Sequence, residues 1–254
     1  MYERMLYEVK IMKTKTFIKG AAVIGGALLV AKGLDDRLET THYTIASDKI
    51  PKSFDGFRIV QISDFHSAAV PGLVSEIQAE TPDIIVSTGD LVHDRGSYEP
   101  GITLVRRLMG IAPVYCVTGN HDLKRGDYKE FQADLDDTGA ITLHDSSVTI
   151  ERDDAIITLS GIDDPFSEDG STIARKIKNS IRKINDTDNY HAVLFHRANH
   201  MDLLKSSGFD LVLSGHMHGG QFRIPGIGGL MPPKSSLQDS KQIIFPAYCS
   251  GTFN

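Results

Sequence analysis

A chain of 254 residues with 41% hydrophobic content is long enough for one large α/β domain or two small ones, and it can bury a sizeable core. Its formal net charge of −6, with no Lys/Arg-dense patch, argues against a nucleic-acid scaffold held by phosphate contacts. Two cysteines, Cys116 and Cys249, exclude a disulfide framework, and their apolar, β-like surroundings read as buried free thiols.

Residues 1–35 stand apart. Arg4, Lys10, Lys13, Lys15 and Lys19 precede an uncharged, mostly apolar run from Gly20 to Ala31, and Lys32, Asp35 and Asp36 follow it. A basic front and a short hydrophobic middle is the layout of a signal sequence. The run is short for a bilayer span, which needs about 20 apolar residues. Phe17 to Leu34 approaches that length, with Lys19 and Lys32 able to snorkel. No small-x-small cleavage site follows, so an uncleaved membrane anchor is favoured over export after cleavage. An amphipathic helix packed on the domain is disfavoured, since Gly20, Gly25 and Gly26 would each weaken it by about 1 kcal/mol. The basic residues precede the run, which predicts the N-terminus inside and the domain on the outer face. Met12-Lys13-Thr14-Lys15 also reads like a natural start, with the residues before it an upstream extension.

The domain itself is expected over 45–254. After a turn-rich lead-in from Pro51 to Phe57, Arg58 to Ser63 reads as a strand ending in Asp64-Phe65-His66. Val70 to Glu80 has helical spacing through Leu73 and Ile77, and Thr81-Pro82-Asp83 closes it. Ile84 to Ser87 is a second strand, running into Thr88-Gly89-Asp90. Ile102, Val105, Leu108 and Met109 mark a helix stopped by Gly110. Pro113 to Val117 is a third strand, ending in Gly119-Asn120-His121-Asp122, and Tyr128 to Leu135 is helical. Strand, polar loop and helix repeated in this way predict a mostly parallel sheet with helices on its face.

The middle of the chain changes character. Ile141 to His144, Ser147 to Ile150 and Ile156 to Ser160 read as short strands, with Asp153-Asp154 a hairpin turn. Thr172 to Ile184 is a helix with Ile173, Ile177 and Ile181 on one side and a basic, solvated remainder. His191 to Phe195 ends at His196, and Phe209 to Leu213 ends in Ser214-Gly215-His216-Met217-His218-Gly219-Gly220. Gly226 to Pro233 is a loop, and Ile243 to Tyr248 a last strand.

Five strands thus end in metal-type ligands: Asp64 and His66, Asp90, Asn120, His196, and His216 with His218. In parallel α/β sheets, ligands gather at the carboxyl ends of strands, so these side chains have a physical reason to meet. Two carboxylates, four imidazoles and one amide oxygen suit Mn, Fe, Zn or Co, with Mn foremost, and the absence of cysteine excludes a zinc finger. Seven ligands are too many for one ion that must still hold water, and they divide into two sets sharing Asp90. A carboxylate has two oxygens and can bridge two ions. Two such ions leave the site formally positive, suited to a phosphate ester and to activating water near neutrality.

Asp64-x-His66, Gly89-Asp90, Gly119-Asn120-His121-Asp122, His196 and Gly215-His216-x-His218 resemble, in order and spacing, the calcineurin-like metallophosphoesterases. The resemblance covers roughly residues 55–225 and is specific because five blocks agree. It implies an α/β fold, two facing mixed β-sheets flanked by helices. It assigns Asp64, His66, Asp90 and His218 to one ion and Asp90, Asn120, His196 and His216 to the other. It also implies that a metal-bridging hydroxide is the nucleophile, that His121 is a general acid protonating the leaving oxygen, and that Asp122 orients His121. The N-terminal segment and Gly219-Gly220-Gln221-Phe222 look most like the bacterial membrane-associated branch, the YkuE- and YaeI-type phosphodiesterases. A monomer acting on a phosphorylated small-molecule or lipid-linked substrate, with no nucleic-acid partner, is the expectation.

Other histidines, His42, His93, His144, His191 and His200, lack motif positions and read as structural or exposed, although His200 could face the site from a short helix. Arg95 and Arg197 could bind phosphate or be ordinary surface charges. Two departures from the family stand out. His93 replaces the Asp that many relatives carry three residues after the bridging Asp, and Asp94-Arg95-Gly96 follows one position late. The chain also ends soon after Ser250-Gly251, where relatives continue into a closing strand or two, so the domain is expected to be truncated there. A phosphoesterase at the cell envelope is the leading function; a non-catalytic metal-binding interaction module on the same scaffold is the alternative, and the acidic balance speaks against a nuclease.

Overall fold

Unbroken apolar runs have no face to give to water, so they belong inside a sheet covered on both sides. A computed structural model describes residues 38–166, 172–220, 223–224, 228–233 and 244–253, and in it Ile84–Ser87 is such a strand, buried at every position. It forms β2, between β1 (Ile59–Ile62) and β3 (Val114–Cys116), with β4 (Ile141–Thr142) at the far edge and every pairing parallel. The crossovers are α1 (Leu73–Ala79), α2 (Glu99–Leu108), then α3 (Asn120–Leu123) and α4 (Tyr128–Asp136). Side chains alternate along these strands. Ile85, Val114 and Cys116 pack outward with Ile77, Ile102, Leu108 and Phe131 of the helices. Ile84, Val86, Tyr115 and Val117 point the other way.

What they meet is a second sheet, ordered β5 (Ser146–Arg152), β6 (Ala155–Ile162), β7 (Tyr190–Arg197), β8 (Leu211–Gly215). β5 and β6 are antiparallel, and the pairing of Arg152 with Ala155 leaves Asp153-Asp154 as the expected two-residue turn. β6, β7 and β8 are parallel. Leu159, Tyr190, Ala192 and Leu194 close the core between the sheets. On the outer face, α5 (Ile173–Ile184) buries Ile173, Ile177, Ile181 and Ile184 against Ile162, Val193 and Phe195. Full burial of each such side chain contributes about 1.5–3 kcal/mol. The result is the expected sandwich of facing sheets flanked by helices, the first sheet wholly parallel and the second mixed.

The expected segment 1–35 lies outside the described residues, and so do Ile243, Gln221 and Phe222. No helix among the described residues is long and apolar enough to cross a membrane. The strand expected over Ile243–Tyr248 does not form in its described part. Ile244 to Tyr248 runs in bends and turns, with φ of 53° at Phe245 and 58° at Tyr248. Left-handed backbone at two residues breaks an extended pleat, and Pro246 between them cannot donate to a ladder. The expected Gly226–Pro233 loop instead carries half of a short antiparallel pairing, β9 (Arg223–Ile224) with β10 (Gly228–Gly229).

Candidate metal centre

The loops after β1, β2, β3, β7 and β8 converge on one rim of the two sheets. The first two are joined by backbone bonds, from the Asp64 N–H to the Gly89 carbonyl (3.1 Å) and from the His66 N–H to the Asp90 carbonyl (3.0 Å). Glycine makes the approach of the next pair feasible. A Cβ on Gly89, whose φ is +94°, would stand 2.7 Å from the Gly119 nitrogen and 2.8 Å from the His196 ring. A Cβ on Gly119 would collide with the Asp90 carboxylate. Five of the expected ligand residues also sit in left-handed backbone: Asp64 (φ 54°), His66 (49°), Asp90 (52°), His216 (73°) and His218 (47°). Each costs on the order of 1–2 kcal/mol for a residue with a Cβ, and such strain persists where surrounding contacts over-determine it.

This backbone gathers two ligand clusters. One atom from each of Asp64, His66, Asp90 and His218 lies within 4.8 Å of the others, and the same holds for Asp90, His196 and His216. Asp90 belongs to both. His66 Nε2 and His218 Nε2 are 3.3 Å apart, and His216 Nδ1 and His196 Nε2 are 3.2 Å apart. Two nitrogens bound at about 2.1 Å to one tetrahedral ion stand about 3.4 Å apart, so both pairs have the spacing of shared ligation. His196 Nδ1–H donates to the Thr88 carbonyl (2.8 Å), which leaves Nε2 free for the site, 3.2 Å from Asp90 Oδ2. Asn120 opens α3 and is 1% exposed, yet its side-chain oxygen and nitrogen have no hydrogen-bond partner. An orphaned buried amide costs about 1–3 kcal/mol, which coordination of a cation by its oxygen would remove. The donor set therefore fits two divalent ions.

In the metal-free form, protons take the place of that charge. Burial opposes ionisation of His196, but the Asp90 carboxylate overrides it and raises the imidazole to about 10. Asp90 is held well below the usual carboxylate range: burial alone would raise it, and His196 outweighs that. The hydrogen bond to Asp64 raises His218 despite burial. Burial lowers His66 to about 4, and burial together with His196 lowers His216 far below its usual value. Each close pair thus joins one imidazole whose pKa is raised to one whose pKa is lowered. Metal ligation needs neutral imidazole, so binding must expel the proton that Asp90 keeps on His196. We expect divalent-ion uptake at about pH 8 to release protons, and affinity to rise as pH climbs toward 10. Titration calorimetry in buffers of different ionisation enthalpy measures this; heats independent of buffer would contradict it.

Asp122 has a different task from the one expected of it. Its carboxylate accepts the backbone N–H groups of Asp90 (2.9 Å), Gly119 (2.8 Å) and Val92 (3.0 Å). Burial and the neighbouring Asp90 push it up to about 7. Because both of its oxygens are engaged with the loops after β2 and β3, it braces the Asp90 backbone rather than the His121 ring. A carboxylate that does reach that ring is Asp94, 3.7 Å from His121 Nδ1. The sequence displays Asp94 only as a shifted Asp-Arg-Gly, and that shift was its one available signal. Arg125 had none. Its guanidinium donates to the carbonyls of His93 (2.5 Å) and Gly96 (3.0 Å) and so fixes the loop bearing Asp94.

Arg197 is neither a surface charge nor a residue open to substrate. It is buried and paired bidentately with Asp164, at 2.7 and 3.0 Å. Arg95 is exposed. His200 joins neither ligand cluster among the described residues. His42 pairs with Glu80, His144 with Asp163 and buried His191 with Ser160, as structural or exposed histidines. His93 is exposed, but its ring lies 5.1 Å from that of His121 and 5.8 Å from that of His66.

Comparison with known proteins agrees with this geometry. The family model described as calcineurin-like phosphoesterase matches residues 57–220. The chain is 29% identical over 248 residues to the metallophosphoesterase YkuE of Bacillus subtilis (strain 168), covering 89% of this chain and 83% of that protein. It is 32% identical over 176 residues to YkoQ of the same organism, covering 66% of this chain and 63% of that one. Against the phosphodiesterase YaeI of Escherichia coli (strain K12) it is 26% identical over 197 residues, covering 74% and 68%. The chain belongs to the calcineurin-like phosphoesterases, and it is a metal-dependent phosphoester hydrolase.

Proposed function

We propose that this chain is a dinuclear-metal-dependent phosphodiesterase or pyrophosphatase in which His121 protonates the leaving oxygen. The observation that carries the reading is the membership of Asp90 in both ligand clusters. One ion is assigned to Asp64, His66, Asp90 and His218, the other to Asp90, Asn120, His196 and His216, with Mn foremost and Fe, Zn or Co as alternatives. When bound, two divalent ions supply Lewis acidity to the phosphoryl oxygens and lower the pKa of water.

The chain's own residues divide the remaining work. Asp90, His196 and His216 are buried, at 1% exposure or less, whereas the side chains of His66, His121 and His218 keep 16, 21 and 33%. Substrate therefore approaches from the His66–His121–His218 side. The His121 amide donates to Asp90 Oδ1 at 2.7 Å, which ties the acid to the shared ligand. Burial lowers the His121 pKa, while Asp90 and Asp94 act to raise it. Asp94 thus favours the imidazolium that a general acid needs. Residues 1–35, with their basic front and apolar middle, support an envelope enzyme whose domain faces outward.

We expect the Mn-loaded protein to hydrolyse bis-p-nitrophenyl phosphate and to lose that turnover on chelation. Two ions bound with no turnover on that diester or on nucleotide-sugar diphosphates would point to a binding module instead.

A further inference from the structure

The loop after β2 holds a cluster that neither ligand set uses. His93 Nδ1 lies 2.7 Å from Asp94 Oδ1, and His121 Nδ1 lies 3.7 Å from the same oxygen. The three ligand atoms fall within 4.8 Å of one another. Asp94 Oδ1 and His121 Nδ1 are buried atoms that make no hydrogen bond. The Arg95 amide also lies 3.3 Å from His93 Nδ1. His93 Nδ1 and Asp94 Oδ1 at 2.7 Å share one position between them, which a proton or a cation fills. Arg125 holds the backbone of this loop from beneath, so the site is largely formed in advance. The His93 side chain, 48% exposed, has room to open the short contact to ligand spacing.

We propose that His93, Asp94 and His121 form a third cation site, of zinc class, whose filling captures His121 and stops turnover. Two imidazoles and one carboxylate with an open fourth position are a zinc donor set. Such sites bind zinc more tightly than manganese, so excess zinc fills this one while manganese does not. A cation on Nδ1 occupies the lone pair that a proton would take, and the ring can no longer become an imidazolium. The effect on turnover rests on the reading of His121 as the general acid; the existence of the site does not.

The test uses the full chain and its His93→Ala variant, each loaded with manganese, exposed to excess zinc, desalted, and counted for total divalent ions by mass spectrometry. The wild type is expected to retain about one ion more than the variant. Zinc should also inhibit the variant about tenfold less well, or weaker still, with inhibition stronger on alkyl diesters than on p-nitrophenyl esters, whose leaving group needs no proton. Equal ion counts would overturn the site. An extra ion without inhibition would overturn the capture of His121. Fewer than two ions in both proteins would break the dinuclear reading, while the difference between the proteins would still decide the third site.

Discussion

Asp90→Asn is expected to empty both metal positions and to lower turnover by at least about a thousandfold, roughly 4 kcal/mol of transition-state stabilisation. The substitution keeps the shape of the side chain and the acceptor for the His121 amide, which lies 2.7 Å from Oδ1. It removes the negative charge that both ligand clusters share, and it turns an amide NH2 toward either the cations or the His121 N–H. No neighbour can take over. Asp64 belongs to one cluster only, and Asp122 spends its oxygens on three backbone amides. Metal analysis of the purified variant beside the wild type reads the first effect, and diester hydrolysis the second. An Asp90→Asn protein that carries two ions at full occupancy would contradict the shared-ligand account.

His121→Ala should separate chemistry from binding. The imidazole lies in neither of the two ligand sets assigned to the ions, so both ions should remain while turnover falls by about 10²–10⁴-fold, the usual contribution of a general acid. The loss should grow with the basicity of the leaving oxygen, being smallest for p-nitrophenolate, and the fall of turnover with rising pH that a protonated general acid imposes should disappear with it. Turnover unchanged across leaving groups, or loss of an ion together with activity, would contradict the assignment.

Much of this site is legible in the amino-acid sequence because its ligands sit where local rules are strong. An apolar run ending in Gly-Asp or Gly-Asn states both a buried strand and a polar residue at its carboxyl end, and β2 and β3 behave in that way. The pairing of histidines across strands was harder to read, since the 3.2 and 3.3 Å contacts join residues 20 and 152 positions apart. What escaped was decided by side-chain direction. Asp122 follows His121 directly, and the family resemblance implied a partnership between them. Its rotamer is instead fixed by amides of Asp90 and Val92, 32 and 30 positions away. Arg197 reads as a cation near a phosphate site until Asp164, 33 positions earlier, is seen to close on it. The expected last strand failed for a backbone reason, the left-handed φ of Phe245 and Tyr248, which a run of β-forming residues does not reveal. In each case the missing information was a long-range contact or a backbone choice, not a propensity.

Electron paramagnetic resonance of the wild-type protein loaded with two equivalents of Mn²⁺ reports on sharing of Asp90 itself, because exchange coupling requires two ions joined through a common ligand. A coupled dinuclear spectrum that Asp90→Asn abolishes is expected. A spectrum of isolated Mn²⁺ at full loading, or a coupled spectrum that survives the substitution, would contradict it.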